Sequence, residues 1–252
     1  MKYIINQYNG AEITSVENVT LDCFSYEVKS IISRCQKSNV YLIWLEIHEN
    51  RSELINVAVN LGFKFHHCNG EFLKLVKKLE GDVYVPNAAM HYVGAGGVVF
   101  SDDNEVLLVS ELRGHRKGFY KLPGGNLEIS ENIRHAVVRE IYEETNIKSR
   151  FIGLSSIAHL HGWYENKSNL YFICVLRAET YDIIIEEDEI LECIWLPVND
   201  LKSHKKITEF NKQAIKNALN SIPLKSMDVN SYLKDLNEDG FKAESHDFEY
   251  YK

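Results

Sequence analysis

Residues 139–144 read Arg-Glu-Ile-Tyr-Glu-Glu, so three carboxylates (Glu140, Glu143, Glu144) and one guanidinium (Arg139) share a short stretch. If it is helical, Glu140 and Glu144 project within about 40° of each other at ~100° per residue. Glu143 lies on the adjoining side. Like charges three or four residues apart repel by roughly 0.2–0.5 kcal/mol per pair even on an exposed helix. Acids near a helix C-terminus also oppose its dipole, and partial burial raises the cost. Positive charge must therefore meet these side chains. Arg139 supplies one and can orient a carboxylate. A hard divalent cation, Mg²⁺ or Mn²⁺, supplies the rest, because such an ion binds through a few carboxylates and shares substrate phosphates. The plain alternative is a solvated, Glu-rich helix face.

The elements that must position these groups are legible nearby. Leu122-Pro123-Gly124-Gly125 is a turn signal that ends an apolar run. Ser130 followed by Glu131 predicts a helix start, with serine as the N-cap and an acid in the first turn. Ile133, Val137 and Ile141 recur every fourth residue and form one stripe for burial. Glu131 projects onto another helical face, which gives it a structural or outer-sphere role.

The whole stretch, Gly125-x5-Glu131-x7-Arg139-Glu140-Ile141-x-Glu143-Glu144-x-Asn146-Ile147, resembles the Nudix box. The one departure is Asn146, where the family carries glycine to end the helix in a left-handed conformation. Asparagine is the usual second choice there. The resemblance implies an α/β/α Nudix sandwich and hydrolysis of a nucleoside diphosphate linked to another moiety. It implies Glu140, Glu143 and Glu144 as metal ligands and Arg139 as the residue orienting Glu140. Gly124 and Gly125 let the chain turn tightly. The general base is either Glu140 or an acid of a later loop, residues 186–189, with Glu189 or Glu187 as the choice there.

Composition narrows the partners. The chain has 252 residues, 45% of them hydrophobic, and a net charge of −8. That balance argues against a nucleic-acid binder working through a broad basic surface. No apolar run approaches the ~18 residues of a membrane span, and Tyr3-Ile4-Ile5 is too short for a secretory core. Five scattered cysteines without a CxxC pair read as free thiols of a reducing cytoplasm.

Two domains are expected, joined by a linker over residues 81–90. Residues 1–80 predict an α+β unit in the order β-α-β-α-β-β, with strands at 19–24, 40–47, 63–68 and 72–76 and helices at 25–38 and 52–61. Adjacent His66 and His67 would face opposite sides of a strand. The Trp44 region with residues 62–67 and 72–75 resembles the pre-Nudix domain of animal and plant hydrolases, which implies a smaller, acetyltransferase-like half-fold without acetyl transfer. Residues 91–222 predict the Nudix domain. Its Gly94-Ala95-Gly96-Gly97 lacks dinucleotide-fold spacing and reads as close strand packing.

Substrate contacts are expected from two loops. Arg113, Arg116 and Lys117 lie in a basic segment that could reach phosphate. Trp163 and Tyr164 lie in an aromatic loop that could stack on a base. A final helix at 208–222 is expected to be amphipathic through Phe210, Ala214, Ile215, Ala218 and Leu219. Residues 223–252 form a polar tail expected to be loosely ordered. The resemblance points to ADP-ribose or NADH as substrate and to a homodimer. A catalytically silent Nudix module, acting as a nucleotide sensor or protein-binding domain, is the alternative. It usually lacks box carboxylates that this chain keeps.

Overall fold

The computed structural model describes residues 1–6, 8–13, 16, 19–114, 116–162, 167–227 and 249–252. The chain divides into two compact units, Met1–Met90 and His91–Lys252.

In the first unit, strands β1 (Tyr3–Ile5), β2 (Gly10–Ile13), β3 (Leu42–His48), β4 (Lys64–Asn69) and β5 (Phe72–Lys78) make one sheet in the order β1-β2-β3-β5-β4. The β2–β3 pair is parallel and its neighbours are antiparallel. Alternation along β3 sends Ile43, Leu45 and Ile47 into an apolar core with Phe24, Val28 and Ile31 of α1 (Leu21–Gln36) and with Leu54 and Ala58 of α2 (Glu53–Asn60).

Two expectations fail here. Residues 19–24 are not a strand. Thr20 caps α1, its hydroxyl accepting from the Cys23 N–H, and Asp22 sits in the first turn, so capping chemistry outweighs the short apolar run. Nor do His66 and His67 part to opposite faces. A bulge between Phe65 and His67 turns them together, their Nδ1 atoms 2.6 Å apart.

The second unit is built on β6 (His91–Phe100), β7 (Glu105–Glu111), β10 (Ser149–Leu160), β11 (Ser168–Ala178) and β12 (Ile190–Pro197), in the order β10-β11-β6-β7-β12. Two short strands join it: β8 (Tyr120–Lys121) pairs with β7, and β9 (Gly124–Asn126) pairs with β6. The β11–β6 pair is parallel. Helix α3 (Ile133–Thr145) covers one face, sharing a core with Val99, Leu107 and Leu176, while α4 (Glu209–Asn220) covers the other, against Val98, Leu108 and Val175. Neighbouring strand residues thus feed opposite cores, which makes the α/β/α sandwich. Gly96 and Gly97 leave room for the Tyr171 ring on one face and the Ile141 side chain on the other.

Three expectations are corrected in this unit. Helix α3 begins at Ile133, after Asn132, not at Ser130. Ser130 instead adopts φ 61° in the preceding turn, and Glu131 lies outside the helix. Phe210 and Leu219 of α4 are exposed; the buried stripe is Asn211, Lys212, Ala214, Ile215 and Ala218. The tail also contributes order at its described ends. Leu224 bridges Leu154, Ser226 bridges Tyr251, and the Glu249 carboxylate accepts from Ile133 N–H at 2.9 Å. Asn132 makes no side-chain cap bond, so a residue from the far end of the chain caps the helix.

Candidate active site

The corner is assembled where β8, β9 and the C-terminal half of α3 meet. Val137 and Ile141 are fully buried and fix the helix against the sheet, and that leaves Glu140 and Glu144 on its edge toward β9. The Gly124 N–H donates to Glu144 Oε2 at 2.8 Å. Gly124 has φ 140° and lies so close to the Ala95 carbonyl that a side chain has no room. At Gly125 a Cβ would stand 2.5 Å from Glu140 Oε2, so the absence of a side chain is what admits that carboxylate. Asn146 closes the helix at φ 60°, its N–H bonded to the Tyr142 carbonyl.

Arg139 is the hub of the exposed side. Its Nε and Nη2 donate to Glu131 at 2.8 Å each, and its Nη1 donates to Glu140 and to Glu143 at 2.9 Å each. Glu131 foremost, and then Glu140 and Glu143, hold the guanidinium pKa above its ordinary value against the cost of burial. Glu131 is held below the ordinary carboxylate range, chiefly by Arg139. Its second oxygen also accepts from the Glu128 N–H, which ties the turn before α3 to the helix.

The inner side is different. Glu144 is buried, and burial pushes its pKa up to about 7; the charge of Lys121 and the Gly124 N–H oppose that rise, and the charges of Glu140 and Glu189 add to it. Glu140 is raised too, first by burial, with Arg139 opposing and Glu143 and Glu189 adding. Lys121 reaches in from β8, its Nζ 2.7 Å from Glu111 Oε1 and 3.6 Å from Glu144 Oε1. Burial works against the Lys121 charge, but Glu144 and Glu111 outweigh it and hold its pKa above the ordinary value. The Tyr171 hydroxyl is pushed up by burial in the same place.

Backbone bonds carry the acidic loop here. Glu186 N–H reaches the Glu144 carbonyl at 3.3 Å, and Leu112 N–H reaches the Glu189 carbonyl at 2.8 Å. A cavity of about 610 Å³ opens beside it, lined by Glu111, Arg113, Gly114, Glu186, Asp188 and Glu189. That volume is in the range of small-molecule sites.

The structure therefore brings together Arg139, Glu140, Glu143, Glu144, Glu131 and Glu189, with Arg113 at the cavity. Glu187 is exposed and is not among the cavity-lining residues, and Arg116 and Lys117 are exposed on the basic loop away from that lining. Trp163 and Tyr164 lie outside the described residues. Sequence reading passed over Lys121, Glu111 and Tyr171. Lys121 is flanked by buried Tyr120 and Leu122, a weak sign that it points into something, but its partners lie 10 and 23 residues away and no spacing rule connects them.

The donor chemistry suits a hard divalent ion. Every candidate ligand is a carboxylate oxygen, and burial first, with neighbouring acids adding, already lifts Glu140 and Glu144. Among the described residues no three His, Cys, Asp or Glu side chains already converge as a ligand set.

The NUDIX domain family model matches residues 90–218, and a Nudix hydrolase domain model matches residues 1–79. Nudix hydrolase 7 of Arabidopsis thaliana is 32% identical over 77% of this chain and 71% of its own length. Nucleoside diphosphate-linked moiety X motif 6 of Homo sapiens is 33% identical over 79% of this chain and 64% of its own. A MutT NUDIX hydrolase from Burkholderia pseudomallei aligns in structure over 50% of this chain and 97% of its own, at 23% identity and TM-score 0.45.

Proposed function

Because this chain belongs to the Nudix hydrolase family, we propose that it cleaves the pyrophosphate link of a nucleoside diphosphate derivative, ADP-ribose or NADH, at the Glu140–Glu144–Glu189 corner. The observation that carries this reading is the buried Glu144 carboxylate, which feels the charges of Glu140 and Glu189, beside a cavity with Arg113 at its wall.

Water attacks one phosphorus and the bridging P–O bond breaks. The nucleoside monophosphate leaves as one product and the phosphorylated second moiety as the other. Glu140, Glu143 and Glu144 would hold Mg²⁺ or Mn²⁺, which would supply charge neutralisation at the diphosphate oxygens and a lower pKa for water. Arg139 orients Glu140 through the 2.9 Å bond. Glu189 takes the proton from the attacking water. Its placement at the cavity supports that choice over Glu187, and Glu140 is already engaged by Arg139. Lys121 and the Gly124 N–H favour the charged form of Glu144 against its burial and aim its carboxylate. Arg113 binds the diphosphate or the second moiety.

The name of the human relative, a nucleoside diphosphate-linked moiety X motif, fits this substrate class. The likeness of residues 1–80 to the pre-Nudix domain points to ADP-ribose and NADH within it. Free cysteines and a net charge of −8 fit a cytoplasmic small-molecule enzyme rather than a nucleic-acid binder. Among the described residues no helix is long and apolar enough to cross a membrane. A homodimer is part of the same reading.

The test is a panel of nucleoside diphosphate derivatives with Mg²⁺ or Mn²⁺, read by product chromatography. ADP-ribose should release AMP and ribose 5-phosphate, NADH should release NMNH and AMP, and Glu144→Gln should lose turnover while keeping its circular dichroism spectrum. Wild-type-like turnover by that variant would sink the assignment. Binding of ADP-ribose without cleavage would favour the sensor module.

A further inference from the structure

A second cavity, of about 490 Å³, opens at the C-terminal end of α4, beside Ala218 and Pro223. Arg150 of β10 and Arg177 of β11 line it. Alternation puts both on the α4 face of the sheet, whereas the carboxylate helix α3 covers the other face. Val175 belongs to the α4 core and Ile152 packs against it, and each arginine lies two residues along its strand from one of them. The register pairs Arg150 directly with Arg177. Like charges directly opposite on neighbouring antiparallel strands destabilise a sheet.

Nearby acids do not cancel the pair. Glu179 comes only within 3.9 Å of Arg150 and Asp102 only within 4.0 Å of Arg177, both too far for a hydrogen bond. Asp102 is engaged elsewhere, accepting from the Tyr181 hydroxyl at 2.8 Å. Arg177 Nη1 donates to the Ser101 carbonyl at 2.9 Å, which holds its guanidinium at the cavity wall. Arg150 makes no hydrogen bond among the described residues. Most N–H donors of the two guanidinium groups are therefore left for a ligand.

We propose that this cavity binds a phosphomonoester with an apolar or aromatic body, at a site separate from the carboxylate corner and independent of the reaction assigned there. Two planar guanidinium forks facing one cavity match the several oxygens and near-double charge of a phosphate monoester, where a carboxylate carries a single charge. The body has a surface of its own. Ile152, Val175, Leu219 and Pro223 form an apolar wall, and Leu219 is the side chain that the α4 core leaves exposed. The volume lies in the range of small-molecule sites and exceeds what a bare phosphate needs. An occupant would neutralise the Arg150–Arg177 repulsion and tie β10 and β11 to the end of α4.

The test is calorimetric titration of the full chain with AMP, in chelator and phosphate-free buffer, so that no hydrolysis is involved. AMP should bind, and adenosine, ribose 5-phosphate and inorganic phosphate should each bind at least about 10-fold more weakly, because each lacks one half of the match. Arg150→Gln and Arg177→Gln should each weaken AMP by about 10-fold or more. Leu219→Ser should weaken AMP and leave inorganic phosphate unchanged. AMP should raise the melting temperature of the wild type and not of the Arg150→Gln/Arg177→Gln double variant. Without ligand that double variant should melt at or above the wild-type temperature, since the like-charge pair is gone, which separates lost binding from lost folding. Wild-type affinity for AMP in the double variant would overturn the proposal. So would adenosine or ribose 5-phosphate binding as tightly as AMP.

Discussion

The two units of this chain handle polarity in opposite ways. In Met1–Met90 the fully buried side chains are apolar, with Phe24, Ile31, Ile43, Leu45, Ile47 and Phe63 filling one core. Among the described residues, the buried polar and charged side chains (Ser101, Ser110, Glu144, Thr145, Ser149, Asn169, Asn211 and Lys212) all belong to His91–Lys252. Burying a charge is costly unless it is paired and hydrogen-bonded. His91–Lys252 buries charge at Glu144 and Lys212, and Glu144 lies in the candidate site; among the described residues Met1–Met90 buries none. The first unit therefore reads as packing, the second as a reactive site that packing must support.

That contrast can be broken from either side. The largest effect belongs to Glu144→Gln, which should lower metal-dependent turnover by on the order of 10³-fold while leaving the urea midpoint at or above the wild-type value. Relief of a strained buried charge is the reason, and a fall in the midpoint would show that the charge supports the fold. Phe24→Ala is the mirror image. It should cost about 3–5 kcal/mol in urea unfolding of the first unit, with turnover per folded molecule unchanged. Loss of activity at full folding would show that the first unit shapes the site.

Lys121→Met sharpens the comparison. It removes the ammonium 3.6 Å from Glu144 and should destabilise the metal-free protein by about 2 kcal/mol. Saturating Mg²⁺ should recover part of that loss by supplying the missing charge, measured as the difference in urea midpoint with and without the ion. The smallest effect is at the cavity wall. Arg113→Ala should raise KM about 10-fold with kcat nearly unchanged, whereas Lys117→Ala, on the exposed side of the same loop, should leave both constants near wild type.

Legibility followed distance along the chain. The stripe of Val137 and Ile141, the left-handed Asn146 and the paired strands of residues 63–78 depend on neighbours within a few residues, and they stand in the structure much as their patterns suggest. The helix starts were less readable. Ser130 and residues 19–24 carried local signals that other local chemistry overrode: a φ of 61° at Ser130, and the Thr20 cap ahead of α1. The exposure of Phe210 and Leu219 could not be foreseen, because periodicity gives the angle of a stripe and not its outer edges.

By itself the amino-acid order determined which residue types crowd onto one helix, and hence that repelling carboxylates needed cations. Periodicity and turn chemistry are enough for that, since both act over a turn or two. Only the folded chain decided which cations answer them and from where. Lys121, itself paired with Glu111, reaches Glu144 from β8; Glu189 arrives on a loop bonded to the helix end, and Glu249 caps α3 across 116 residues. These meetings depend on sheet order and register, which are settled by the packing of whole faces rather than by the spacing of any one motif.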